Sequence, residues 1–207
     1  MRTAILSDIH GNLEALQCVL EDLQTRHCDR IICLGDIVDG GLYDREVIEL
    51  MQTLQIPTVQ GNHDACNDCY LSPDDQAWLN DLPQEILEED VCFTHISPRH
   101  CQHKISDRIE AWNVFSETSQ RLCFIGHLHF PVLYGLRCEF FGESHSYEVD
   151  AGVYPLAPDD RYVICFGAIG YPRGGGAFIR YGIYDDRTHN LEFIKLEGYL
   201  LPYGTSI

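Results

Sequence analysis

Five times within its first 129 residues, this chain breaks a short apolar run with residues that ligate metals. Ile5-Leu6-Ser7 leads into Asp8-Ile9-His10, and Ile31-Ile32-Cys33-Leu34 into Gly35-Asp36. Thr58-Val59-Gln60 leads into Gly61-Asn62-His63-Asp64, Val91-Cys92-Phe93 into Thr94-His95, and Leu122-Cys123-Phe124-Ile125 into Gly126-His127-Leu128-His129. Open α/β sheets build their sites in the loops at the carboxyl ends of strands. Any one Asp-x-His pair reads equally well as a capped turn. Five such strand ends, carrying His10, His63, His95, His127 and His129 out of ten histidines in all, read as one converging constellation.

The segments between these runs support a sheet. Leu13, Leu16, Leu20 and Leu23 are spaced by three, four and three, which predicts a helix near 12–26 with one buried stripe. A second helix is expected near 43–54, and Ser72-Pro73-Asp74-Asp75 caps a short one running through Trp78 and Leu79. A third strand at 58–60 completes a β-α-β-α-β order, which predicts parallel strands and right-handed crossovers. Strands at 85–88 and 91–94, a helix near 106–118 and a strand at 122–125 follow. The remainder reads as antiparallel strands at 131–136, 138–141, 146–149, 161–166, 176–184 and 190–196, with Asp185–Asn190 as a hairpin loop. Five glycines in Gly167–Gly176 mark a tight or ligand-approaching loop. No repeat or linker interrupts the 207 residues, so a single domain over 1–207 is expected.

Composition narrows the partners. Lys plus Arg number 14 against 32 Asp plus Glu, a formal charge of −18, which disfavours long nucleic acid. A small phosphorylated substrate stays compatible, because bound cations invert the local field. No apolar run approaches the roughly 20 residues that span a bilayer, so no membrane association is expected. The ten cysteines often sit inside apolar runs, as core residues do, and no export signal is read. A reducing, cytoplasmic setting follows as the expectation.

The donor types choose the metal. Carboxylate, imidazole and amide oxygen without thiolate suit Mn, Fe, Co, Ni or Zn. Seven candidates, Asp8, His10, Asp36, Asn62, His95, His127 and His129, exceed one tetrahedral ion and match two divalent transition-metal ions sharing a carboxylate. Such a pair lowers the pKa of water to about 7 and supplies a nucleophile without Ser or Cys.

Asp8-x-His10, Gly35-Asp36-x-x-Asp39, Gly61-Asn62-His63-Asp64, His95 and Gly126-His127-x-His129 together resemble the signature of the calcineurin-like metallophosphoesterases. Gly167-Ala168-Ile169-Gly170-Tyr171-Pro172-Arg173, followed by Tyr181–Asp185, resembles the late loop and strand of their compact bacterial and archaeal phosphodiesterase branch. The resemblance implies a four-layer α/β/β/α sandwich of two mixed sheets. It implies one metal on Asp8, His10, Asp36 and His129, and a second on Asp36, Asn62, His95 and His127, with Asp36 bridging. A metal-bridging hydroxide would attack phosphorus in line. His63 would protonate the leaving oxygen or bond the phosphoryl group alongside Asn62, Asp64 would orient His63, and Asp39 would support from behind.

Three departures bear on substrate. Asp39-Gly40-Gly41 lacks the arginine that follows this Asp in phosphoprotein phosphatases of the family. Ile96 replaces the glycine usual after the fourth block, and Cys165-Phe166 stands where the branch has Asn-Pro. Arg173 is then the best candidate cation for the substrate, with Arg99 and Lys104 behind it. A small phosphodiester or nucleotide-type ester is the favoured substrate. The rivals are a phosphomonoesterase or protein phosphatase, a dinucleoside polyphosphate hydrolase, and a catalytically silent protein-binding scaffold. Cys66-x-x-Cys69 and the His100-Cys101-x-His103 cluster read better as loop residues than as further metal sites.

Overall fold

The computed structural model describes residues 1–138, 140–173 and 176–201. Strand β1 (Arg2–Leu6) is followed by helix α1 (Leu13–Leu23), β2 (Arg30–Cys33) and α2 (Asp44–Thr53). Asn12 opens α1 by accepting the Ala15 N–H at 3.1 Å, leaving Ala15, Leu16, Val19 and Leu23 to form the buried stripe. A one-turn helix α3 (Asn62–Ala65) and α4 (Pro73–Asn80) precede β3 (Glu85–Glu88), β4 (Val91–Thr94), α5 (Arg108–Glu117) and β5 (Leu122–Phe124). The chain continues through β6 (Val132–Gly135), β7 (His145–Tyr147), β8 (Gly152–Pro155), β9 (Tyr162–Cys165), β10 (Ile179–Asp185) and β11 (Asn190–Leu196).

Two mixed sheets result, ordered β2-β1-β10-β11-β8 and β3-β4-β5-β9-β6-β7. The alternation of side chains along each strand divides the interior into three apolar layers. On β1, Ala4 and Leu6 face α1 and α2, whereas Ile5 points between the sheets. On β5, Phe124 points between the sheets, whereas Cys123 faces α5 with Cys92, Val163 and Cys165. Helices therefore cover both outer faces, and the layers run α/β/β/α. No helix among the described residues is long and apolar enough to cross a membrane. All ten cysteines are unbridged, and burial pushes the Cys123 thiol up to about 12.

Phe124 is fully buried and stacks between Phe93 at 5.3 Å and Phe166 at 6.0 Å. Phe124→Ala should cost about 3–5 kcal/mol in urea unfolding, the loss of a buried aromatic plus the cavity it leaves. Unchanged stability would contradict this placement of the core.

Several expected elements differ. The strand at 58–60 shrinks to a parallel bridge between Thr58 and Cys33, because the Gln60 N–H turns away to the Pro83 carbonyl. The strand at 138–141 is not formed by Cys138, Phe140 or Phe141, whose two phenyl rings are exposed, and Glu139 lies outside the described residues. β8 was not expected. It is a solvent-facing edge strand between Gly152 and Pro155, with no apolar alternation to announce it. β9, expected among antiparallel strands, runs parallel to β5 and antiparallel to β6. Within the glycine-rich loop, Gly174 and Gly175 lie outside the described residues.

Candidate metal centre

β1 and β2 run parallel, as do β4 and β5, and bonds between the sheets, His95 Nδ1 to the Leu34 carbonyl and His127 N–H to Asp8 Oδ1, bring both pairs of loops to the same edge of the sandwich. Backbone bonds tie those loops together. Asp8 N–H donates to the Gly35 carbonyl at 3.0 Å, His10 N–H to the Asp36 carbonyl at 3.0 Å, and Gly126 N–H to the His95 carbonyl at 2.9 Å. Asp8, His10, Asp36, His127 and His129 all take left-handed backbone conformations, with φ between 52° and 63°. Non-glycine residues rarely do so, and each costs about 1–3 kcal/mol, which the surrounding bonds must offset. Two glycines allow the loops to close. A Cβ on Gly61 would lie 2.2 Å from Asp36 Oδ1, and one on Gly170 would lie 1.8 Å from the Ile9 carbonyl.

The side chains gather in two groups of potential metal donors. Asp8, His10, Asp36 and His129 form one; Asp36, His95 and His127 form the other, and within each the donor atoms lie within 4.8 Å of one another. Asn62 Oδ1 joins the second, 3.2 Å from His95 Nε2 and 2.9 Å from His127 Nδ1. Three imidazoles have their tautomers set by carbonyls, which can only accept. His10 Nδ1 donates to Asp39 O at 2.8 Å, His95 Nδ1 to Leu34 O at 2.7 Å, and His129 Nδ1 to Tyr171 O. Their Nε2 lone pairs therefore face inward, and those of His10 and His129 meet at 3.3 Å. Asp8 Oδ2 and Asp36 Oδ2 are buried without a well-aligned hydrogen bond. Lone pairs and carboxylate oxygens packed face to face repel unless cations lie between them, so this donor set fits metal ions.

The charges agree. Burial would raise the Asp8 pKa, but His129, helped by His95 and His10, holds its carboxyl well below the usual range. Burial opposes a charged His95, yet the Asp36 carboxylate outweighs it and raises that imidazole to about 9. Burial, then the charge of His95, pushes His127 down to about 4. Metal binding at these imidazoles competes with their protonation.

Asp36 stands between the groups. Its Oδ1 accepts the His63 backbone N–H at 2.9 Å, while Oδ2 lies 3.1 Å from His95 Nε2 and 3.7 Å from His10 Nε2. The expected orientation of His63 by Asp64 is corrected. Asp64, at the third position of α3, turns back to accept the N–H groups of Gly61, Asp36 and Ile37, each at 2.8 Å. The carboxylate on His63 is instead Asp39, whose Oδ2 accepts from Nδ1 at 2.6 Å. Asp64 clasps the Asp36 loop; Asp39 aims His63.

Asp39→Asn should lower turnover by about 10–100-fold, in line with the loss of an orienting carboxylate. Metal content should hold, because His10 rests on the backbone carbonyl of Asp39. Unchanged turnover would remove Asp39 from this role.

A family model for the calcineurin-like phosphoesterase superfamily domain matches residues 1–185. The chain belongs to that superfamily. An uncharacterised protein of Methanocaldococcus jannaschii is 30% identical over 222 residues, covering 94% of this chain and 86% of its own. A metallophosphoesterase structure from Sphaerobacter thermophilus superposes with a TM-score of 0.83 at 32% identity, covering 96% of this chain and 90% of its own. Yfce, a phosphoesterase from E. coli, shares the fold at a TM-score of 0.54 and 21% identity, covering 90% and 89%. With its buried Asp/His donor set, this phosphoesterase is a metal-dependent phosphoric ester hydrolase.

Around the phosphoesterase centre, Tyr171 packs its ring at 5.8 Å from that of His10 and 5.6 Å from that of His129. Arg173 is exposed and lies over Tyr171 at 5.8 Å, so the candidate cation sits above the first donor group. Lys104 is exposed, and its charge contributes to depressing His127. Arg99 is removed from candidacy by ion pairs to Glu110 and Glu117 of α5. His100, Cys101 and His103 are exposed and enter neither donor group, and Cys69 bonds toward Asp44 rather than toward Cys66. The sequence reading missed the Leu34, Asp39 and Tyr171 carbonyls, since every residue carries one. Tyr171 itself carried a signal, lying within the late glycine-rich block.

Proposed function

We propose that this phosphoesterase hydrolyses small phosphodiesters or nucleotide-type esters, using two divalent transition-metal ions drawn from Mn, Fe, Co, Ni and Zn. The observation that carries the reading is Asp36 Oδ2, one buried carboxylate oxygen facing His10 on one side and His95 on the other. Asp8, His10, Asp36 and His129 would hold one ion, and Asp36, Asn62, His95 and His127 the other. When bound, such a pair acidifies water and neutralises charge developing on phosphoryl oxygens.

The protein's own groups supply the rest. His63 has Nδ1 committed to Asp39, which leaves Nε2 for the phosphoryl group or the leaving oxygen. His63 is one-third exposed, whereas Asp8, His10, Asp36, His95 and His129 are buried, and so it meets the incoming ester. Arg173 over Tyr171 offers a cation to a phosphate oxygen outside the metal shell. Arg173 over Tyr171, with Gly40-Gly41 beside Asp39, favours a monoanionic diester over the dianion of a phosphoprotein. The scaffold reading is disfavoured because all seven donors are present and mutually oriented.

Reconstitution with each metal, assayed against a chromogenic diester, a monoester and nucleotides, tests the reading. Diester turnover should exceed monoester turnover and vanish on chelation. Loaded protein that cleaves no ester would overturn it.

A further inference from the structure

Beside the second donor group, a cleft of about 210 Å³ opens from Asn62 and His95 onto Gln60, Gln84, Gln102 and Ile96. Among the described residues, no Asp, Glu, Lys or Arg lines it. That absence matters in a chain of net charge −18 with a cationic metal site next door. A phosphate would find no lysine or arginine here, and a lipid tail would find amides. Of the three glutamine amides, those of Gln60 and Gln84 are held by hydrogen bonds. Gln60 Nε2 donates to the Leu79 carbonyl at 2.7 Å, which turns Gln60 Oε1 toward Gln84 Nε2 at 2.5 Å. Thr94 Oγ1 holds the Gln84 backbone carbonyl at 3.1 Å. Gln84 Oε1 and its second N–H then remain for a ligand. Gln102, also in the lining, takes a left-handed backbone, φ 48°, a strain that a glutamine has no intrinsic reason to carry.

We propose that this cleft holds the base of a nucleoside ester while its phosphoryl group lies on the donor groups, an inference that rests on the phosphoesterase reading. Side-chain amides present a donor and an acceptor side by side, the pattern that reads base edges. The cleft shares Asn62 and His95 with the metal centre, so a ligand in it lies directly beside the second donor group. Ile96 supplies an apolar wall for a base face.

The test uses the full metal-loaded chain and two readouts. The first is the ratio of kcat/KM for 4-nitrophenyl esters of the four nucleoside 5′-monophosphates to that for bis(4-nitrophenyl) phosphate. At least one nucleoside ester should be preferred, and Gln84→Leu and Gln102→Ala should each cut that preference by roughly tenfold, the value of a lost base-edge contact. Gln102→Ala guards against misfolding, since its side chain makes no hydrogen bond among the described residues. The second readout is calorimetric binding of the unphosphorylated nucleosides, which needs no turnover. Binding that both variants weaken supports the cleft even if no ester is cleaved, in which case only the hydrolase reading falls. Equal ratios in wild type and variants, or no nucleoside bound, overturns the inference.

Discussion

Asp36→Asn should strip the centre of both metal ions and lower diester turnover on the order of 10³-fold, the several kcal/mol that metal ions contribute to the transition state. Asparagine keeps the shape of the side chain, and its Oδ1 can still accept the His63 N–H that Asp36 Oδ1 accepts at 2.9 Å. What it loses is the negative charge of the oxygen lying between His10 and His95. Both donor groups weaken at once for that reason. His129→Asn, which alters only the group containing Asp8 and His10, should leave the second group able to bind. Elemental analysis of the two purified variants separates these outcomes. Asp36→Asn protein that keeps its full metal content would show that the carboxylate is not shared.

His63→Gln should cut turnover by about 10²–10⁴-fold, the usual contribution of a positioned general acid, with metal content unchanged. The side chain touches Asp39 and packs edge-on against the His10 ring at 5.0 Å, and it belongs to neither donor group. Proton donation matters most where the departing oxygen is basic. The loss should therefore be large for an alkyl or nucleoside ester and small for a 4-nitrophenyl ester. An equal loss for both would assign His63 to holding the phosphoryl group instead.

The convergence of the strand ends was legible because apolar runs are short and each stops at its ligand. Once β1 and β2 run parallel, Asp8 and Asp36 must emerge at the same edge, and β4 with β5 brings His95 and His127 together likewise. The choice between Asp39 and Asp64 as partner of His63 was not legible. It turns on a one-turn helix whose third residue folds back on its own N-terminus, a detail that a four-residue element does not announce in composition. The left-handed backbones of Asp8, His10, Asp36, His127 and His129 were also hidden, since strain belongs to loops locked against one another. β8 escaped for the opposite reason. An edge strand facing solvent needs no apolar pattern, and its register on β11 is set by backbone bonds.

Anomalous diffraction from crystals loaded with manganese tests the central claim most directly. Two peaks should flank Asp36 Oδ2, one contacting Asp8, His10 and His129, the other contacting Asn62, His95 and His127. A single peak, or a second peak that also contacts Asp8 or His10, would contradict a centre built on one shared carboxylate.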